Sequence, residues 1–364
     1  MPRPVIDAIR HHLDLEITTG GYEAAAANAP AVERAYGALA QLLNGRPDEI
    51  ALIENATRAW DMAFYALART FRPGDRIVTA EAEYASNYVA YLQAARDTGV
   101  TIDVVPSDDT GALSVDALAA MMDARVKLIA ITHVPTNGGL VNPAAAVGAV
   151  ARTWDVPYLL DACQSAGQMP LDVARIGCTM LSGTGRKYLR GPRGTGFLWV
   201  RADWIERLDP PMVDLKAATW DRRNHYVLRP DARRFENWES FVAGRAGLAA
   251  AVDYALGWGL EAIEARIATL AARLRDGLAA LPGVTVTDLG DRPCGIVTFT
   301  HDRLSAEAVR AALAGRGINV SVSKRSSTRL DMERRGLPNV VRASVHYYNS
   351  EDEVDRMLAE LSAL

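Results

Sequence analysis

Short apolar runs alternate with helical stripes of apolar residues through the first two thirds of the chain. The runs are Ile50–Ile53, Thr101–Val105, Leu128–Thr132 and Tyr158–Leu160. Their length and composition are typical of buried strands. Between them apolar residues recur every three or four positions, as at Tyr36, Leu39 and Leu43, which is the spacing of an amphipathic helix. This alternation predicts an α/β fold with a large, mostly parallel sheet and crossover helices.

The pattern changes after Trp258. Ile263, Ile267 and Leu270 begin a long helical stripe, and short strands and helices follow it to the end of the chain. We therefore expect a smaller C-terminal α+β domain. The predicted division is a large domain of residues 15–258 and a small domain of residues 1–14 and 259–364.

Three stretches show neither the helical spacing of apolar residues nor the apolar runs of buried strands, and we expect them to be loops. They are residues 18–30, residues 209–234 and the basic segment 323–338. Small and polar residues dominate the first, and Pro and Arg are frequent in the second, which is typical of irregular structure.

Composition narrows the class of protein. The 364 residues are 49% hydrophobic, as in a globular chain, and the formal net charge of -4 gives no reason to expect nucleic acid or a membrane as partner. No apolar run approaches the ~20 residues of a membrane-spanning helix, and residues 1–12 lack the apolar core of a signal peptide. Cys163, Cys178 and Cys294 form no CxxC pair. We therefore expect a reduced, cytoplasmic protein without a metal site.

Two chemically distinctive residues follow neighbouring predicted strands. Asp161 ends the run Tyr158–Leu160, and Lys187 lies between Gly185 and the glycine-rich segment 191–196. Ligands of open α/β sheets bind at the carboxyl ends of the strands. A lysine that can form a Schiff base and an acid that keeps a ring nitrogen protonated are what pyridoxal phosphate (PLP) requires. An isolated lysine is more often a solvated surface charge, but the glycines that frame this one argue against that alternative.

Glycines and hydroxyls nearby suggest a phosphate site. The segment Gly191–Gly196 leads into a strand, whereas a dinucleotide-binding fingerprint leads from a strand into a helix. The strand Ile50–Ile53 turns through Asn55 into a predicted helix that begins near Ala56 and Thr57. Free N–H groups and a positive dipole at such a helix start bind phosphate, so Ala56 and Thr57 are candidate ligands. Taken alone, the same segment is more often an ordinary N-cap.

These motifs resemble the class V aminotransferase superfamily of fold-type I PLP enzymes. The matching segments are Asp161-Ala-x-Gln-Ser-x-Gly167, Ser182–Lys187 and Gly191-Pro-x-Gly-x-Gly196. The superfamily includes cysteine desulfurases, selenocysteine lyases, isopenicillin N epimerase-like proteins and the C–S lyases of ergothioneine synthesis. The resemblance implies the fold-type I PLP-dependent transferase fold, PLP as cofactor, an amino-acid substrate and a homodimer with shared active sites. It makes Lys187 and Asp161 the predicted catalytic residues.

The resemblance also implies a set of binding residues. The expected cofactor ligands are Ala56, Thr57, Tyr84, Asn137, Asp161, Gln164, Thr184, Arg186 and Lys187. Tyr84 stands where desulfurases carry a histidine that stacks on the ring, and Asn137 and Gln164 match residues near the ring oxygen. Arg186 replaces a common histidine and is expected to bind the phosphate as a fixed cation. Arg342 matches the arginine that holds the substrate α-carboxylate with its guanidinium fork.

The absence of a cysteine from one loop narrows the range of reactions that the chain is expected to catalyse. Desulfurases of this superfamily carry a nucleophilic cysteine on the loop that corresponds to Ser321–Pro338, and this chain has no cysteine there. Desulfurase chemistry is therefore less favoured, whereas β-elimination that breaks the Cβ–S bond of a cysteine-derived substrate needs only the lysine and the electron sink. Amino-acid epimerisation and transamination of the isopenicillin N epimerase-like type stay open. So does a non-catalytic PLP-binding protein.

The same loop is basic. Arg325 and Arg329 lie shortly after a predicted strand, where the family's loop reaches the substrate side chain. A local basic cluster in an acidic chain favours an anionic group. Arg325 and Arg329 are therefore predicted to bind a second acid group or a sulfoxide beyond Cβ of the substrate. The alternative is a solvated loop face.

Overall fold

The computed structural model describes residues 1–364 and contains fourteen α-helices and thirteen β-strands. The helices are α1 (Arg3–Thr19), α2 (Gly21–Ala27), α3 (Ala29–Leu43), α4 (Ala56–Ala68), α5 (Ala85–Thr98), α6 (Val115–Met121), α7 (Ala144–Thr153), α8 (Val173–Ile176), α9 (Ala202–Ile205), α10 (Val242–Trp258), α11 (Leu260–Ala279), α12 (Ala306–Ala314), α13 (Arg329–Arg334) and α14 (Glu351–Ser362). The strands are β1 (Ile50–Ile53), β2 (Arg76–Ala80), β3 (Thr101–Val105), β4 (Val126–Thr132), β5 (Tyr158–Asp161), β6 (Met180–Thr184), β7 (Gly196–Val200), β8 (Ala218–Arg222), β9 (His225–Leu228), β10 (Val284–Val286), β11 (Ile296–His301), β12 (Ser321–Ser323) and β13 (Val340–Ser344). None of the helices combines the length and apolar character that a bilayer crossing demands.

Seven strands form the large sheet in the order β1-β7-β6-β5-β4-β2-β3. The pairs β3–β2, β2–β4, β4–β5 and β5–β6 are parallel, and β7 is antiparallel to both of its neighbours. Helices connect the parallel strands, as the alternation in the sequence predicts. The mostly parallel α/β architecture is therefore confirmed.

The inner strands of the large sheet are buried on both faces, which explains their unbroken apolar runs, whereas the edge strand β3 is mostly half-buried. Successive strand residues point to opposite faces. In β5, Tyr158 and Leu160 join a cluster of 56 buried residues on one face, and Leu159 joins a cluster of 26 on the other. Asp161 is the acidic last residue of this strand. Because the whole strand is buried, its register in the sheet fixes the position of Asp161.

A second sheet of four antiparallel strands, in the order β10-β11-β13-β12, forms the C-terminal part of the fold. Helices α11 and α12 pack against this sheet, and α14 packs against both helices. Helix α1 instead packs along α10, with the Ile9 side chain against Gly247. We therefore propose that residues 1–14 accompany the large domain and that residues 259–364 form the small one.

Short regular elements occupy the three stretches that we expected to be loops. Residues 21–27 form α2, because four consecutive alanines have the highest helix propensity. Strands β8 and β9 form a hairpin within residues 209–234. Its residues are mostly exposed, so it shows no alternation of buried and polar positions. Helix α13 lies in the basic segment, and of its own six residues only Asp331 and Met332 are buried, which gives too short a stripe to detect.

Candidate active site

A cleft opens where β4, β5 and β6 end and where α4 and α5 begin. It has an empty volume of about 710 Å³. Its lining residues are Asn55, Ala56, Thr57, Tyr84, Asn87, Thr132, Val134, Thr136, Asp161, Cys163, Gln164, Thr184, Arg186 and Lys187. Eight of the nine expected cofactor residues belong to this set, and Asn137 does not. The carboxyl edge of the parallel sheet brings these residues together from distant parts of the chain.

Asp161 is held at the floor of the cleft as a buried carboxylate. Its Oδ1 accepts a hydrogen bond from the Cys163 backbone N–H at 2.9 Å, and its Oδ2 accepts one from Asn87 Nδ2 at 3.0 Å. Burial raises the pKa of Asp161, while the two hydrogen bonds and the charge of Lys187 oppose that rise. A buried carboxylate with free lone pairs beside a cleft favours a cationic N–H partner.

Lys187 stands on a tight turn between β6 and β7. The Gly191 N–H donates to the Gly185 carbonyl at 2.7 Å and closes the turn, and Arg190 adopts a left-handed conformation with φ 58. A Cβ at position 185 would collide with Thr195 Oγ1, so glycine is required there. The turn holds Lys187 beside Asp161, whose pKa it influences. The packing of this turn therefore explains why glycines flank Lys187 in the sequence.

The start of α4 forms a second wall of the cleft. Asn55 caps this helix by accepting from the Arg58 N–H at 3.0 Å, which leaves the N–H groups of Ala56 and Thr57 without intrahelical acceptors. A Cβ at Gly196 would lie 2.6 Å from the Asn55 carbonyl carbon, so glycine in β7 permits this close approach. The N-cap and the phosphate site are thus compatible functions of one helix start.

Arg342 reaches the cleft from β13 of the small sheet. Its Nη1 donates to Thr136 Oγ1 at 2.7 Å, and its Nε is buried without a partner in the chain. Burial lowers the pKa of Arg342, and the nearby charge of Arg186 adds to that effect. A buried guanidinium with an unsatisfied N–H, close to a second cation, favours an anion.

Asn137 lies behind the cleft wall, contrary to the expectation that it contacts the cofactor. Its Nδ2 donates to Thr328 Oγ1 at 2.9 Å, and its Oδ1 accepts from the Ser323 hydroxyl. The preceding residue, Thr136, lines the cleft instead. A one-residue difference in a loop moves a side chain to the other side, and the sequence motif alone does not fix that register.

Arg325 and Arg329 are not brought to the cleft either. Arg329 forms an ion pair with Glu333 at 2.8 Å on the surface of α13, where its side chain is 64% exposed. Arg325 is exposed, and its backbone N–H donates to Asn339 Oδ1. Within the single chain this geometry matches the solvated loop face, and the basic residues that line the cleft are Arg186 and Lys187.

Six residues that line the cleft were not among the predicted site residues. They are Asn55, Asn87, Thr132, Val134, Thr136 and Cys163. Asn87 lies one helical turn beyond Glu83 and three residues after Tyr84, so its position on the same face of the helix start was a usable signal. Cys163 lies within the Asp161 motif, and its thiol is partly exposed.

The side chains present fit PLP. A lysine and a buried acid share one cleft with the start of α4, the Thr184 hydroxyl and the Arg186 guanidinium. The buried Nε of Arg342, which has no partner in the chain, is suited to bind an anion. A fold-type I sheet with this cleft at its carboxyl edge defines a PLP-dependent enzyme class.

The chain belongs to the aminotransferase class-V family, whose model matches residues 1–357. It is similar to the "Probable cysteine desulfurase" of Xylella fastidiosa (strain 9a5c), with 31% identity over 372 residues that cover 99% of this chain and 87% of the relative. Its fold is similar to the apo cysteine desulfurase from Thermococcus onnurineus NA1, with a TM-score of 0.92, 26% identity, and coverage of 100% and 91% of the two chains.

Structures of the protein C-DES are a further match. Its complex, described as that of a cystine C–S lyase with its reaction product cysteine persulfide, has a TM-score of 0.88 and 26% identity, covering 100% of this chain and 94% of that one. A C-DES mutant carries glycine covalently linked to the PLP cofactor, at 25% identity. Family membership and these neighbours confirm PLP as the cofactor of this chain.

Proposed function

We propose that this chain is a PLP-dependent lyase that breaks the Cβ–S bond of a cysteine-derived amino acid by β-elimination. One observation carries the choice: segment 321–338 contains no cysteine, while Lys187 and Asp161 line one cleft and Arg342 contacts Thr136 at its edge. The similarity to a cystine C–S lyase supports the same choice.

Each residue has a distinct task in this proposal. When bound, PLP withdraws electrons from Cα of the amino acid attached to it. The N–H groups of Ala56 and Thr57, with Thr184 and Arg186, hold the phosphate. Asp161 retains the proton on the ring nitrogen, and Tyr84 packs against the ring face.

The substrate is oriented and deprotonated by the chain itself. Arg342 grips the α-carboxylate through its guanidinium fork, which orients the bond from Cα to hydrogen. Lys187 Nζ takes that proton as general base. The electron pair then forms a double bond between Cα and Cβ, and the Cβ–S bond breaks with its pair going to sulfur. Water releases the remaining fragment as pyruvate and ammonia, so cystine would yield pyruvate, ammonia and cysteine persulfide.

The test is a product screen on the PLP-loaded protein with L-cystine, L-cysteine, S-alkyl cysteines and L-alanine. We expect equimolar pyruvate and ammonia from a cysteine-derived substrate, with release of its sulfur fragment. Formation of alanine together with sulfane sulfur would contradict the proposal, as would loss of optical purity or amino transfer without sulfur release. The Lys187→Ala variant is the control for chemistry that does not use the site.

Cysteine desulfurase is the second candidate, and one contact favours it. Cys163 lies in the cleft beside Lys187, and the charges of Lys187 and Arg186 oppose the rise that burial causes in the pKa of its thiol. Cys178 and Cys294 are buried elsewhere, and burial raises the pKa of each thiol to about 12. If any thiol of this chain accepts sulfur, it is therefore Cys163.

Cys163→Ala separates the two candidates. A lyase keeps its turnover within about threefold, because the elimination uses no protein thiol. Abolished turnover in a folded, PLP-loaded Cys163→Ala protein would favour the desulfurase. The matched control is Cys178→Ala, which removes a thiol far from the cleft.

We also propose that the enzyme acts as a homodimer with shared active sites in the cytoplasm. Exposed apolar side chains lie on the β8–β9 hairpin and near it, among them Trp220 at 69%, Leu215 at 72% and Trp238 at 61% exposure. Such an exposed apolar surface marks an association site. Sedimentation equilibrium should give twice the chain mass, and Trp220→Glu should lower that mass and the affinity for PLP together. A monomeric wild-type protein with full activity would contradict this proposal.

A further inference from the structure

A second buried carboxylate, Glu83, lies behind Asp161. It is 3% exposed, and it precedes Tyr84 at the start of α5. Its Oε1 accepts from the Tyr84 N–H at 2.7 Å and from the Thr132 hydroxyl. Its Oε2 accepts from Thr79 Oγ1 at 2.9 Å and from the Tyr91 hydroxyl at 3.4 Å. The Tyr84 N–H can only donate, and the three hydroxyls can also donate, so this environment accommodates an ionised carboxylate.

One amide group connects Glu83 to Asp161. Asn87 Nδ2 donates to Glu83 Oε1 at 2.9 Å and to Asp161 Oδ2 at 3.0 Å. Both hydrogens of the amide are thus used, and the amide plane is fixed by the two carboxylates. The Asp161 carboxylate is oriented in turn, because its other oxygen is held by the Cys163 N–H.

Two buried carboxyl groups this close repel each other when both are ionised, and a nearby cation would relieve that repulsion. Burial raises the pKa of Glu83 to about 7, and the charge of Asp161 contributes to that rise. The other titratable groups around Glu83 are Tyr91 on α5 and Tyr158 on β5, both acids, with Lys187 beyond Asp161. A protonated ring nitrogen at Asp161 would supply the missing positive charge.

We propose that Glu83 is a positioning residue that acts through Asn87: it fixes the Asp161 carboxylate and adds a second negative charge that favours the proton on the cofactor ring. This inference rests on the proposed role of Asp161 but not on the choice of substrate. It predicts that the network matters to the bound cofactor even before substrate arrives.

Glu83→Gln tests the charge. The glutamine carbonyl can still accept from Asn87 and Tyr84, and its amide can donate to the hydroxyls of Thr79 and Tyr91, so the hydrogen bonds persist while the charge is lost. We expect the pH midpoint of the visible absorbance of bound PLP, measured without substrate, to fall by about half a unit to one unit. We expect kcat to fall about tenfold, with KM changed less than threefold.

Two further variants, Tyr91→Phe and Asp161→Asn, are needed to interpret the result for Glu83→Gln. Tyr91→Phe removes the weakest contact of Glu83 and keeps its charge, so its midpoint should equal that of wild type; a shift as large as in Glu83→Gln would overturn the inference. Asp161→Asn should also shift the midpoint. If it does not, the role of Asp161 and this inference both fail, whereas a shift in Asp161→Asn without one in Glu83→Gln overturns the Glu83 inference alone.

A double-mutant cycle tests the path through Asn87. If Glu83 acts through this amide, Asn87→Ala should lower kcat about tenfold, and adding Glu83→Gln should lower it little further. Additive losses would overturn the path. If Glu83→Gln does not bind PLP, Asn87→Ala alone decides: an unchanged kcat in the loaded protein overturns the inference.

Discussion

His133 is a buried imidazole whose titration should control the acid stability of this protein. It follows β4, is 7% exposed, and its Nδ1 lies 3.0 Å from Ser165 Oγ. It does not line the cleft, which agrees with a structural role for this residue. Burial lowers the pKa of His133 from 6.5 to about 4. We propose the substitution His133→Asn, which removes the titrating imidazole and places an amide near the position that its Nδ1 occupied.

The magnitude follows from the difference between the folded and unfolded pKa. About 2.5 pKa units at about 1.4 kcal/mol each correspond to about 3.5 kcal/mol in the free energy of unfolding, of which about 3 kcal/mol is lost by pH ~4. Because the folded pKa is depressed, the unfolded chain binds the proton first as the pH falls. The contribution of His133 to stability is therefore complete above about pH 6.5, decreases as the pH falls toward about 4, and is constant below that value.

Urea unfolding of wild type and His133→Asn, at a series of pH values between about 7.5 and about 4, measures this effect as a difference. Other titrating groups cancel in that difference. We expect wild type to lose about 3 kcal/mol more than the variant over this range. His225→Asn is the matched control, because His225 is exposed and pairs with Asp221 on the surface. Parallel curves for wild type and His133→Asn would refute the reasoning. A kcat reduced about a hundredfold in the folded variant at neutral pH would refute the structural role.

The remaining predictions concern the cleft. Lys187→Ala should abolish turnover and the lysine-linked visible absorbance of bound PLP; turnover at the wild-type rate would remove Lys187 from the site. Asp161→Ala should raise the activation free energy by on the order of 2–4 kcal/mol, by analogy with other preorganised charges, and unchanged kcat/KM would contradict that role. Arg342→Lys should raise KM for every amino-acid substrate because a single ammonium cannot reproduce the guanidinium fork. Arg329→Lys is its control, since the Arg329 side chain is paired with Glu333, and an equal rise in KM in both variants would mean that neither binds the carboxylate.

Much of the fold could be predicted from the sequence, because the inner strands of the large sheet are buried on both faces. Each of its strands that we predicted is an apolar run, and each helix between them has a stripe that packs on a defined side. The hairpin at Ala218–Leu228 could not be found in this way. Its side chains are mostly exposed in the single chain, so burial left no period in the sequence.

The residues of the candidate site also fall into two groups, those that could be predicted from the sequence and those that could not. Residues fixed by backbone geometry were predictable: Lys187 by the glycines around its turn, Asp161 by the end of a buried strand, and Ala56 by the start of a helix. Residues fixed by tertiary contacts were not. The spacing of Asn87 from Glu83 places both on one helix face, but the hydrogen bond from Asn87 to Asp161 joins α5 to β5, and no local pattern encodes that contact.

The contact between Arg342 and Thr136 shows how the two sheets share one site. Arg342 belongs to β13 of the small sheet, and Thr136 belongs to the loop after β4 of the large sheet. Of the predicted substrate residues, Arg342 is the one that the structure brings next to the cleft. A substrate carboxylate held by Arg342 would compete with the Thr136 hydroxyl for the same Nη1. If Arg342 binds the carboxylate as we propose, an amino acid would exchange a contact between the two sheets for a contact with substrate, and the position of the small sheet would be coupled to occupancy of the cleft.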